Sequence, residues 1–159
     1  MYKFISATFL SLVICTAHAQ VEITDAWVRA TVQGQKATGA FMNLTAKKAT
    51  RLVGIQTEAA AVAEVHEMKM DKDVMRMQRI PALELPAGKT VSLKPGSYHV
   101  MLMNLKEPLP VDSHVQLTLL FEDAAGVKTQ QELHLMTTQK APGDNKADGK
   151  ADGTHHHSH

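Results

Sequence analysis

The sequence predicts an all-β domain, a sandwich or a barrel. Two observations carry this expectation. Nine short runs rich in Val, Ile, Leu, Thr and Phe are separated by turn residues at near-regular spacing, and no long stretch repeats its apolar residues with a 3.6-residue period. At 159 residues the chain has room for one domain with a substantial core, plus appendages at its ends.

The first 19 residues, "MYKFISATFLSLVICTAHA", join an early lysine to an apolar run too short to span a bilayer and to small residues at Ala17 and Ala19. That order predicts a secretory signal peptide at 1–19, cut after Ala19, and hence an exported protein. The expected strands then follow in order: 21–30, 38–46, 50–58, 63–70, 74–80, 89–94, 98–105, 114–123 and 127–135. Each is an alternating or β-branched run, and "PAGK" (86–89), "KPGS" (94–97) and "DAAG" (123–126) supply the turn chemistry between neighbours. "TEAAAVAEVHEM" (57–68) also admits a helical turn or two, without changing the class. The β domain is expected over 20–138. From Ala141 composition shifts to "APGDNKADGKADGTHHHSH", with no apolar residue larger than alanine, so 139–159 is expected as a mobile His-rich tail.

Charge and cysteine usage exclude several function classes. Lys3 is the only charged residue of the leader, so the remaining 16 basic residues balance 16 acidic ones, which argues against nucleic acid or an anionic membrane surface as partner. The one cysteine, Cys15, lies in the leader. Its removal leaves no disulfide, no thiol nucleophile and no thiolate for a blue-copper site. "LVIC" (12–15) has the outline of a lipid-attachment signal, but Ile14 is bulky where such signals take a small residue.

The residues that bear chemistry are histidines and methionines. "VHEMKM" (65–70) and "YHVMLM" (98–103) each carry His-x-Met-x-Met, and "VMRMQR" (74–79) adds Met75 and Met77. Strand side chains alternate, so His66, Met68 and Met70 share a face, as do His99, Met101 and Met103. A hairpin closing at Asp71-Lys72 sets His66 opposite Met77 and Met68 opposite Met75, with Cβ atoms roughly 5 Å apart. Thioether sulfur is soft and neutral and prefers Cu(I) to harder divalent ions, and imidazole also suits copper. Met70, Met75 and Met103 are expected to pack or to form an apolar rim. His114 and His134 are expected in structural roles, and Trp27 as a core anchor.

The spacing His66-x10-Met77-x21-His99-x-Met101, with Met68 two residues after the first histidine, resembles the PCu(A)C family of periplasmic copper chaperones. "DAWVRA" (25–30) and "TGAFMNL" (38–44) resemble the opening strands of that family, so the resemblance covers roughly 21–136. It implies a cupredoxin-like Greek-key β-sandwich with Cu(I) held by His66, Met77, His99 and Met101; Met68 lies outside that set and is expected as an auxiliary ligand. It also implies delivery of copper toward the Cu(A) subunit of cytochrome c oxidase, directly or through a Sco-type chaperone. Tail residues His155, His156, His157 and His159 form a second constellation suited to Cu(II) or other divalent ions.

These readings predict a carrier and no enzyme. A copper buffer for tolerance needs the same ligands and stands as the alternative. A histidine-brace copper enzyme requires cleavage after Ala17, to make His18 the amino terminus, and "AHA" is the better cleavage signal.

Overall fold

The computed structural model describes residues 20–141; the expected leader and nearly all of the expected His-rich tail lie outside the described residues. Ten strands form: β1 (Val21–Arg29), β2 (Ala37–Ala46), β3 (Thr50–Gln56), β4 (Ala60–Asp71), β5 (Val74–Arg79), β6 (Leu83–Leu85), β7 (Thr90–Leu93), β8 (Tyr98–Leu105), β9 (His114–Asp123) and β10 (Lys128–Thr138). The segment with helical potential is strand from Ala60 onward, because Ala60, Val62, Ala63, Glu64 and Val65 pair with β8. The added strand β6 has three residues between Pro81 and Pro86 and seals the edge of β3 through Leu83 and Leu85.

The strand order is β5-β4-β8-β7-β2-β1-β10-β9-β3-β6, and β8 also pairs with β2. All neighbours are antiparallel except β7 with β8 and β1 with β10. Two layers result, with Val28, Ala40, Leu44, Val65, Val100 and Leu102 of one meeting Leu52, Leu117, Leu119, Phe121 and Leu135 of the other. Alternation fixes which side chains these are: Val65 pairs with Val100 on the core face, so their neighbours His66 and His99 must point outward. No helix among the described residues is long and apolar enough to cross a membrane.

One expectation is corrected here. The β4–β5 hairpin pairs Met68 with Met77, Met70 with Met75 and His66 with Arg79, two residues away from the expected register. A two-residue loop, Lys72-Asp73, with φ of 46° and 65°, makes the turn; the expected closure at Asp71-Lys72 left no loop residue. A slip of two preserves which face each residue occupies, so the methionines still share the face of His66. Positive φ is tolerated here without glycine, and replacing Lys72-Asp73 by Asn-Gly, the favoured pair for this turn, should raise stability by about 0.5 kcal/mol in a denaturant titration.

Trp27 is buried, yet it lies outside the main hydrophobic cluster. A bulge between Thr24 and Trp27, with Asp25 at φ 51° and its carboxylate accepting from Asn43 Nδ2 at 2.8 Å, resets the alternation of β1. Val21 and Ile23 before it and Ala26 and Val28 after it face the core, which turns Trp27 to the opposite face. His114 and His134 are exposed on β9 and β10, and Glu132 Oε1 lies 3.2 Å from His134 Nε2.

Candidate metal centre

The outward face of β4, β5 and β8 brings three of the four expected ligands together. His66 and His99 are direct cross-strand partners, with ring centroids 6.1 Å apart. Met77, on the edge strand β5, reaches across β4 to set its Sδ 3.2 Å from His99 Nε2. Met101 follows His99 by two residues on the same face, between Glu64 of β4 and Gly39 of β2. Met68 is opposite Met77, one rung outward from His66.

Hydrogen bonds assign the imidazole tautomers. The Ser97 carbonyl is 3.1 Å from His99 Nδ1, so that nitrogen donates and a neutral ring leaves its lone pair on Nε2, toward Met77. For His66 the order is reversed. Glu64 Oε2 is 3.1 Å from Nε2, which therefore donates, and Glu64 Oε1 is held by Arg79 Nε at 3.0 Å. The lone pair of His66 is then on Nδ1, the one buried side-chain nitrogen or oxygen among the described residues without a hydrogen-bond partner. An unpartnered buried nitrogen is costly unless something binds it.

The arrangement fits a soft cation. His99 Nε2 and Met77 Sδ face each other as two electron-pair donors with no proton between them, and an ion beside them satisfies both. With metal–nitrogen bonds of about 2.0–2.1 Å, two imidazoles on one ion have centroids up to about 6 Å apart, close to the 6.1 Å separation observed. Among the described residues no three His, Cys, Asp or Glu side chains converge, so no harder, carboxylate-rich site competes with this one.

Aromatic groups close the other side. The Phe41 ring lies 6.5 Å from that of His99 and stacks at 4.7 Å on Trp27, and the Arg29 guanidinium sits 5.4 Å from the Phe41 centroid. Gly39 makes room for it: a Cβ there would stand 2.7 Å from Phe41 Cζ. Next to His99, burial pushes the Tyr98 phenol up, and the charge and hydrogen bond of Glu67 raise it further, so Tyr98 is a neutral donor. Glu64, Arg79 and Phe41 are supports that the sequence reading passed over. The available signals were a carboxylate two residues before His66 on its own face, and a glycine two residues before an aromatic.

The remaining methionines differ in their surroundings. Met70 and Met75 are exposed, which excludes packing for them, and Met103 is partly exposed beside Ala37 and Val62, away from the histidines.

Comparison with known proteins gives consistent relationships. The LpqE-like family model matches residues 21–133. Protein Lxx21020 of Leifsonia xyli subsp. xyli, which carries a lipoprotein name, is 31% identical over 134 residues, covering 76% of this chain and 81% of its own. Among solved structures, the apo PCuAC domain from PmoF1 aligns with a TM-score of 0.60 at 22% identity, over 78% of this chain and 96% of that one. The Cu(I) form of DR1885 from Deinococcus radiodurans aligns with a TM-score of 0.55 at 30% identity, over 72% of this chain and 75% of that one.

Proposed function

The chain belongs to the LpqE-like family, whose fold is that of the PCuAC domains, and on that premise we propose that it is an exported carrier of cuprous copper. His66, Met77, His99 and Met101 hold the ion. The observation that carries this reading is the 3.2 Å approach of Met77 Sδ to His99 Nε2 beside the unpartnered His66 Nδ1. The Cu(I) form of the 30% identical DR1885 supports the choice of ion.

Two neutral imidazoles and two thioethers around Cu(I) leave a net single positive charge and need no proton removed from a thiol. A thiolate acceptor is a stronger donor to Cu(I) than a thioether, so the exchange equilibrium favours passage of copper from this site to such an acceptor. The exposed position of Met77 makes it the ligand an incoming acceptor displaces first. Glu64 and Ser97 hold the two rings in their binding tautomers throughout, and no bond of a substrate is broken, so the protein acts as a carrier and not an enzyme.

Delivery to a Cu(A) centre, directly or through a Sco-type protein, is the destination we assign, with the periplasm as the compartment and the tail histidines as an auxiliary Cu(II) site. The test is transfer: copper-loaded protein mixed anaerobically with an apo Cu(A) domain or a reduced Sco-type protein should lose its copper to the acceptor, read by separating the two and measuring metal in each. Retention of copper against both acceptors would favour a buffer for copper tolerance.

A further inference from the structure

The hairpin of β4 and β5 carries four methionines on one face in two successive rungs, Met68 with Met77 and Met70 with Met75. The inner rung adjoins His66, and Met77 is engaged with His99. The outer rung has no packing role: every residue of β5 is exposed, Met70 is 60% and Met75 47% accessible, and neither belongs to the core. Glu64 and Arg79 are paired with each other at the level of His66, and outward of it the charged strand residues Glu67, Lys69, Asp71 and Arg76 lie on the other face, where Asp71 is paired with Arg76 at 3.2 Å. The methionine face beyond His66 therefore presents sulfur donors without a carboxylate.

We propose that Met68, Met70 and Met75 form a second, solvent-facing site for a soft monovalent cation, adjoining the histidine site and weaker than it. Directly opposite Cβ atoms are about 5 Å apart. Successive rungs on one face are about 7 Å apart along the strand, at roughly 3.4 Å per residue. Methionine, unbranched with three rotatable bonds, spans such gaps, so three sulfurs can meet on one ion. Three neutral thioethers discriminate against Zn(II), Mg(II) and Ca(II), which prefer nitrogen, thiolate or oxygen, and select Cu(I) or its analogue Ag(I). That the physiological ion is copper rests on the carrier reading above; the thioether site does not.

The full chain, labelled with 13C at the methionine methyl groups, is titrated anaerobically with Cu(I), and each methyl is followed by NMR. The first equivalent should shift Met77 and Met101. The second should shift Met68, Met70 and Met75, and in Met70→Leu/Met75→Leu that second response should vanish while the first is unchanged. Buried Met42 and exposed Met136, which is remote from the hairpin in the sheet, serve as controls. A second equivalent that leaves the three hairpin methyls unmoved, or that shifts Met136 in parallel with them, overturns the proposal. A first equivalent that leaves Met77 and Met101 unmoved overturns the carrier site instead, and the hairpin response then stands by itself.

Discussion

Met77→Leu/Met101→Leu should lower Cu(I) affinity by more than about a hundredfold while leaving the protein folded. Loss of a group that merely orients a metal ligand costs 10–100-fold, and this pair removes two ligands outright. Leucine keeps the volume of methionine, a swap that costs under about 1.5 kcal/mol even in a core. Met77 is half exposed and Met101 only partly covered, so the cost here should be smaller still. Competition against a Cu(I) chelator gives the affinity, and thermal unfolding of the copper-free variant checks the fold. Only the soft half of the donor set is removed, so the two histidines remain to bind Cu(II), and the loss should be confined to the cuprous ion.

Glu64→Ala should lower Cu(I) affinity by about 10–100-fold without touching the ion. The carboxylate fixes the proton of His66 on Nε2 and leaves Nδ1 free to bind; without it the ring can turn or exchange tautomers. Glu64→Gln keeps an oxygen that accepts from Nε2 and should recover most of the affinity. Imidazole 15N shifts of the copper-free protein report the tautomer directly: Nδ1 unprotonated in the wild type, a mixture in the alanine variant. The ion pair with Arg79 is largely solvent-exposed on the arginine side, so stability should change by less than about 1 kcal/mol. A parallel loss of fold and affinity would instead give Glu64 a purely structural role.

The class of fold was legible because the strand period of two is written in runs such as "HVQLTLLF", where Val115, Leu117, Leu119 and Phe121 are all buried. The short strand β6 escaped because three residues between two prolines carry too little pattern to read. The face shared by His66, Met77 and His99 was legible for a related reason: parity survives an error of two residues, and the hairpin register was wrong by two. Parity fails where the chain inserts a bulge. Trp27 is buried as expected, but the side on which it packs was not legible, since the left-handed Asp25 turns it toward Phe41 and aspartate by itself does not announce a bulge. Spacing places Glu64 on the face of His66, but the roles of Glu64 and Ser97 depend on which ring nitrogen each one touches, a matter of side-chain torsion that spacing does not encode.

The central claim is the identity of the donor set, and X-ray absorption at the copper edge of the full chain, loaded with one equivalent of Cu(I), tests it most directly. The account predicts a first shell of two nitrogens and two sulfurs, with the sulfur contribution lost in Met77→Leu/Met101→Leu. A shell of nitrogen alone in the wild type would contradict it and would place the ion on the tail histidines.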